Sequence, residues 1–382
     1  MKIGIVCYPT FGGSGVLATE LGMALSAKGH EIHFIAYQQP VRLNFHPNIY
    51  YHEVAVPPYP LFEYPPYETA LSSTMVNVIT NNQLDVLHVH YAIPHASAAY
   101  FARQILKKTG KDIPYITTLH GTDITLVGKD LTYAPVVTFS INESDAITAV
   151  SKNLKDETFK SFPIEKGILV IPNFVDTSRF QRTDKDHFKK MLAPNGERIL
   201  AHVSNFRKVK RVEDVIRVFE KVHSEVPSKL LMIGDGPERQ HAEEICRNLP
   251  ICSDIRFIGK QEQMDEILSI TDLFILPSQY ESFGLSALEA MACRVPVIST
   301  NAGGLPEINI HGVTGFLSEV GDVEDMAKNA LHILRADDTL EKFKAAAFDH
   351  AHGYEKDRIV PLYEDLYGEV IESYKQKRLQ IA

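Results

Sequence analysis

Short apolar runs alternate along the chain with longer stretches whose apolar residues recur at helical spacing. Residues 2–8 read as a buried strand, 9–15 as a turn, 16–28 as a helix closed by Gly29 and His30, and 31–37 as a second strand. Further strand runs fall at 85–89, 113–119, 146–150, 199–204, 229–233, 255–258, 271–276 and 295–299. Strands alternating with helical stretches predict an α/β fold built on parallel sheets. At 382 residues the chain exceeds one ordinary core, so two doubly wound domains are expected, with the polar stretch 177–197 as the linker.

Composition narrows the function classes. With 45% apolar and 23% charged residues the chain reads as ordinary globular protein, neither disordered nor collagenous. A formal charge of −9 argues against a nucleic-acid partner, which needs a basic face to neutralise phosphates. No window approaches eighteen consecutive apolar residues, and the opening Met1–Cys7 run is too short for a signal-peptide core, so no integral membrane segment is expected. The four cysteines, Cys7, Cys246, Cys252 and Cys293, have neither zinc nor C-x-x-C spacing and read as reduced thiols of a cytoplasmic chain.

The chemistry concentrates at residues 276–292. The apolar run ending at Leu276 feeds a loop with Pro277, Ser278, Ser282 and Gly284, after which Leu285, Leu288, Met291 and Ala292 recur at helical spacing. A strand entering a helix this way leaves unpaired backbone N–H groups at the helix start, which is an anion site. Two carboxylates, Glu281 in the loop and Glu289 in the helix, sit there with seven residues between them. Carboxylates accept hydroxyl protons but repel phosphate, so the ligand should carry vicinal hydroxyls on both sides of a diphosphate, as a nucleotide sugar does.

Other turns extend this picture. Gly13, Gly15 and Ala18 satisfy the dinucleotide pattern G-x-G-x-x-A, but Ala36-Tyr37-Gln38-Gln39 supplies no acid at the end of the second strand for a ribose. Two readings remain for the Gly12-Gly13-Ser14-Gly15 turn: close helix packing, or a small acidic acceptor held by the Ser14 hydroxyl and nearby amides. His88 and His90 fall on one face of a strand and permit a metal site with His95 or His120, but no carboxylate or cysteine lies at ligand spacing, which favours hydrogen-bonded histidines. Asn205-Phe206-Arg207-Lys208-Val209-Lys210-Arg211 packs four cations at a strand-to-helix turn, where they can neutralise a departing diphosphate. The proline- and tyrosine-rich segment 57–67 reads as a stiff loop.

The 281–292 segment, ESFGLSALEAMA, resembles the E-x7-E signature of the retaining family 4 glycosyltransferases, and the likeness extends through IPNFVD at 171–176, GDGP at 234–237, GGLPE at 303–307 and HGVTGFL at 311–317. The resemblance implies a GT-B fold, two Rossmann-like domains facing a central cleft. Its amino-terminal domain spans 1–170, joined by a last helix at about 360–382, and its carboxyl-terminal domain spans 171–359. It also implies that Glu281 contacts the donor sugar and Glu289 the ribose, while Ser282, Phe283, Gly284 and Leu285 approach sugar and phosphates. His120 would lie near the reacting sugar, and Arg207 and Lys210 would stabilise the diphosphate. Gly259 and Lys260 would hold a uracil base through backbone groups. Ser204 and Asn205 stand where the family carries glycine and arginine, which leaves the phosphate contacts of Arg207 and Arg211 open. Gly13, Ser14, Tyr91 and Thr118 are the acceptor candidates. Within the family, the segments around Cys7, Tyr91, His120 and Arg207 are similar to members that use UDP-N-acetylglucosamine and L-malate in bacillithiol biosynthesis; neither metal nor other cofactor is expected. A different small acceptor, a UDP-sugar 2-epimerase and an NAD oxidoreductase are the rival readings.

Overall fold

Lys2–Val6 (β1), Glu31–Ala36 (β2), Ile49–Glu53 (β3), Val86–His90 (β4), Tyr115–Leu119 (β5), Ala146–Ala149 (β6) and Leu169–Val170 (β7) form one parallel sheet in the order β3-β2-β1-β4-β5-β6-β7. Arg198–Ser204 (β8), Ser228–Gly234 (β9), Ile255–Gly259 (β10), Leu273–Leu276 (β11), Val297–Thr300 (β12) and Gly315–Ser318 (β13) form a second, in the order β10-β9-β8-β11-β12-β13. These elements belong to a computed structural model that describes residues 1–381 except Tyr59, Phe62, Lys129, Asp184 and Lys185. Tyr59 and Phe62 of the expected stiff loop therefore lie outside the described residues, as do Asp184 and Lys185 of the expected linker.

The chain divides into two units, Met1–Asn173 with Asp357–Ala382, and Phe174–Lys356. Each sheet is fully parallel, so its strands are covered on both faces and read as continuous apolar runs. In the first unit Val6, Ile35, Leu87, Val89 and Tyr115 pack with Leu71, Met75 and Ala99 from the covering helices. In the second, Leu200, Leu230, Met232, Ile275 and Ile298 pack with Phe219, Met326 and Phe343. The last helix, Lys356–Ile381, returns to the first unit, where Tyr363 and Tyr367 are fully buried and Tyr367 hydroxyl meets His88 Nδ1 at 2.7 Å.

A buried ion cluster ties the second unit at the amino end of β11. Asp272 is 1% exposed and receives Lys189 Nζ at 2.9 and 3.0 Å, Lys344 Nζ at 3.4 Å and the Ile199 amide at 3.1 Å. Burial works against its charge, yet Lys189 and Lys344 outweigh that and hold the carboxyl below its ordinary range. Lys344 is itself 5% exposed, so removing the carboxylate leaves its buried ammonium with Glu341, 2.9 Å away, as its one remaining carboxylate among the described residues. Asp272→Ala is expected to destabilise the protein by about 3–5 kcal/mol in denaturant unfolding; a loss under about 1 kcal/mol would mean that water takes over the lysine.

Two expectations change. The cysteines are not all reduced: Cys246 and Cys252 form a disulfide, while Cys7 and Cys293 are free and buried. The helix Arg239–Arg247 ends with Leu249 N–H bonded to Cys246 carbonyl, which curls the chain until the two Cα atoms lie 5.1 Å apart. The thiol argument for a reducing compartment thus rests on Cys7 and Cys293 alone. The polar stretch 177–197 is also more than linker, since it belongs to the second unit and contains the helix Asp186–Leu192 that supplies Lys189.

Candidate active site

In both sheets the strand order reverses direction beside the first strand of the unit, between β1 and β4 and between β8 and β11. Open parallel sheets bind ligands beyond the carboxyl ends of the strands at this point. Most of the sequence candidates collect at these two places; Gly259 and Lys260 lie at the end of the edge strand β10.

In the second unit, β8 ends in Ser204 and the cationic loop 205–211, and β11 ends in the loop bearing Glu281. Lys210 Nζ lies 2.5 Å from Glu281 Oε1, which also accepts from Ser278 Oγ at 3.0 Å. Among the described residues both bonds go to Oε1, and Oε2 carries none. The loops join through their backbones as well, Gln279 N–H donating to Val209 carbonyl at 2.7 Å. Gly303 explains why glycine stands in the 303–307 turn: at φ 62°, any Cβ would lie 2.0 Å from the Glu281 carbonyl oxygen. Gly304 N–H then donates to that same oxygen at 2.7 Å. The two motifs interlock, and the second one presses Glu281 into place.

Gly284, in the left-handed region at φ 97°, starts the helix Leu285–Ala292, with Glu289 6% exposed inside it and Phe283 packed edge-on against Tyr354. Arg207 is exposed. Arg211 Nε is committed to Asp214 at 2.5 Å in the first turn of Val212–His223, so the structure gives it a helix-start role and leaves Lys210 as the cation on Glu281. Gly259 closes β10 at φ 70°, with Lys260 next to it.

In the first unit, the helix Gly13–Ala27 begins after β1 with no side-chain cap, leaving the amides of its first turn without helical partners. Gly15 is required by contact, since a Cβ there would lie 2.4 Å from the Tyr8 carbonyl oxygen. Tyr91 hydroxyl donates to Ser14 Oγ at 2.6 Å, and its ring lies 5.1 Å from that of His120. Gly13, Ser14, Tyr91 and His120 are thus together. Thr118 meets them only through its backbone carbonyl, which accepts from Tyr91 N–H at 2.9 Å; its side chain is fully buried, the hydroxyl shared between His88 Nε2 and Thr148 Oγ1, each at 2.6 Å.

The histidines bond one another and the fold, although the buried Nε2 atoms of His90 and His95 have no partner among the described residues. His90 Nδ1 bonds His120 Nε2 at 2.8 Å, and His95 Nδ1 donates to the His90 carbonyl. Burial drives His88 and His120 down to about 3 and His95 to about 4, so all three are neutral at pH 7. No group of three or more metal-ligating side chains occurs among the described residues. Asp123, which was not a candidate, fastens the turns after β4 and β5 by accepting from the Ala92 amide at 2.8 Å and the Gly121 amide at 3.1 Å. Its position three residues after His120 was the only signal in the sequence.

Comparison with known proteins decides the family. Residues 11–179 match the model described as Glycosyltransferase Family 4, and residues 183–350 match Glycosyl transferases group 1. Over 382 residues the chain is 46% identical to N-acetyl-alpha-D-glucosaminyl L-malate synthase of Bacillus anthracis, covering 99% of this chain and 100% of that one. The chain belongs to glycosyltransferase family 4. Among solved structures this family 4 glycosyltransferase is similar to sucrose-phosphate synthase of Thermosynechococcus elongatus, with a TM-score of 0.82, 18% identity and 97% and 99% of the two chains covered. It is also similar to Anabaena Alr3699/HepE in complex with UDP and glucose, with a TM-score of 0.78, 17% identity and 98% and 100% covered. The fold of this glycosyltransferase is accordingly GT-B, two Rossmann-like parallel-sheet units. No helix among its described residues is long and apolar enough to cross a membrane.

Proposed function

We propose that the protein transfers N-acetylglucosamine from UDP-N-acetylglucosamine to the hydroxyl of L-malate and releases UDP, the first step of bacillithiol biosynthesis. The observation that carries this reading is the 46% identity to the Bacillus anthracis synthase along nearly all of both chains. The geometry of each unit supports it. In the second unit Lys210 and Arg207 stabilise the diphosphate as it departs, Glu281 orients the sugar and Glu289 takes the ribose. In the first, the amides at the start of Gly13–Ala27 and the Ser14–Tyr91 hydroxyl pair suit an acidic acceptor, and neutral His120 offers a hydrogen bond to the sugar.

Retention of the α configuration follows by attack on the face that the diphosphate leaves. The C1–O bond to phosphate breaks as the malate oxygen bonds to C1, and a phosphate oxygen takes the malate proton. A double displacement needs a carboxylate nucleophile on the opposite face of the sugar; Glu281, engaged with Lys210 and Ser278, is assigned to orienting it instead. The basic loop supplies the positive charge that a metal would bring. We place the enzyme in the cytoplasm, where nucleotide sugars and malate are both available.

The test is UDP release from UDP-N-acetylglucosamine with and without L-malate, with proton NMR of the product's anomeric signal. Malate-dependent release, an α-linked product and a rate indifferent to a chelator are expected. Release independent of malate would overturn the acceptor, and a β-linked product the same-face mechanism.

A further inference from the structure

At the carboxyl end of β8 two side chains stand behind the cationic loop without touching its charges: His202, fully buried, and Ser204. His202 Nδ1 lies 2.8 Å from the Ile275 carbonyl oxygen of β11. A carbonyl oxygen only accepts, so Nδ1 carries the proton. Burial disfavours a second proton and pushes the imidazole down to about 4, so Nε2 is a lone pair. Ser204 Oγ, 2.8 Å away, must donate to it. With its proton committed, Ser204 Oγ accepts from Phe206 N–H at 3.3 Å. Each proton in the series has one place: Phe206 N–H to Ser204 Oγ, Ser204 O–H to His202 Nε2, His202 Nδ1–H to Ile275 O.

This series spans the switch point of the second sheet. One end is β11, which leads to Glu281; the other is the loop that carries Arg207 and Lys210. The loop needs holding. Phe206 sits at φ 36°, a left-handed conformation that a bulky residue adopts only when its surroundings impose it. Its carbonyl accepts from Glu238 N–H at 2.8 Å, and Ser204 carbonyl lies so close to Gly234 that a Cβ there would come within 1.8 Å. Backbone contacts thus fix the loop toward the 234–238 turn, Gln279 N–H and Glu281 hold its far end at Val209 and Lys210, and His202 ties its near end to β11 itself.

We propose that His202 and Ser204 are positioning residues whose hydrogen-bond series sets the cationic loop against the Glu281 loop before the donor diphosphate arrives. The inference rests on the donor reading of this unit. Preorganised charge binds a diphosphate without first ordering the loop, so loosening the series should appear as lost nucleotide affinity.

UDP affinity of the full chain, measured by titration calorimetry, tests it without any acceptor. Ser204→Ala is expected to weaken UDP about tenfold. His202→Asn keeps an N–H near the Nδ1 position but its shorter side chain has no acceptor at the Nε2 position to which Ser204 donates, so it should produce a similar loss. The double variant should lose no more than either single one, because all three break the same series. Additive losses would overturn the proposal, and so would a Ser204→Ala effect with none from His202→Asn, which would mean that the serine touches phosphate directly. Unchanged UDP affinity in Ser204→Ala alone would suffice to overturn it if His202→Asn fails to fold. Failure of the unaltered protein to bind UDP would instead sink the donor reading.

Discussion

If Glu281 orients the donor sugar as proposed, Glu281→Gln is expected to lower turnover by about 10²- to 10³-fold and to leave UDP affinity within about threefold. The reason lies in which oxygen is taken. Lys210 Nζ and Ser278 Oγ both donate to Oε1, so in a glutamine variant the amide oxygen must stay at that position. The NH2 group then occupies the place of Oε2 and offers donors to a ligand that the carboxylate met as an acceptor. A sugar hydroxyl that gave its proton to Glu281 meets another donor, and the negative charge that complements the reacting sugar is gone. The phosphate side loses nothing comparable, because Lys210 and Arg207 keep their charges. Steady-state kinetics beside UDP titration separates the two quantities; an equal loss in both would mean that Glu281 shapes the diphosphate site and does not orient the sugar.

The strands that bring Glu281 and Lys210 together were legible because both faces of each sheet are covered. Val86–His90 and Leu273–Leu276 are buried at every position and stand out as apolar runs closed by turns. Ile49–Glu53 was not legible: it is an edge strand, half exposed, with Tyr50, Tyr51 and His52 where a core strand carries aliphatics. The helix Asp186–Leu192 hid in a polar stretch because its defining partner, Asp272, lies 83 residues along the chain from Lys189.

The candidate site divides in the same way. Residue type and spacing pointed to Glu281, Lys210 and the helix start at Gly13, since helix starts and cation clusters are local features. What each side chain is bonded to cannot be read from residue type and spacing. That Thr118 faces His88 and Thr148 follows from strand register, while Arg211 on Asp214 and His202 on Ser204, three and two residues apart, depend on how the loop turns. Cys246 and Cys252 give the same lesson, since six residues of separation carry no signature until the helix end curls them together.

Acid is expected to unfold the first unit before the second, with loss beginning below about pH 6.5. His88 and His120 titrate at about 3 in the folded chain and His95 at about 4, against an ordinary 6.5. A folded value below the unfolded one means that the unfolded chain binds more protons between the two. Stability is therefore fully present above pH 6.5 and drains as pH falls toward 3–4. At pH 5 each of these imidazoles costs about 2 kcal/mol, or about 6 kcal/mol for the three. His90 is lowered by burial and by its histidine neighbours, and His33 and His52 are lowered by burial first, so all add in the same direction. Asp123 opposes them. Burial raises its carboxyl to about 6, so the folded chain takes up that proton first and regains about 1 kcal/mol by pH 5. The net loss is as large as the whole stability of a marginal domain. The second unit has one fully buried histidine among its described residues, His202 at about 4, and a half-buried one, His350, also lowered by burial, and with fewer such groups it should outlast the first. Thermal unfolding followed by near-ultraviolet circular dichroism from pH 8 to 4.5 should show an early transition that moves down steeply below pH 6.5 and a later one that moves less. A single transition indifferent to pH over that range would mean that the buried imidazoles reach water, and that the hydrogen bonds fixing His120 and Tyr91 do not hold the proposed acceptor site as rigidly as the structure shows.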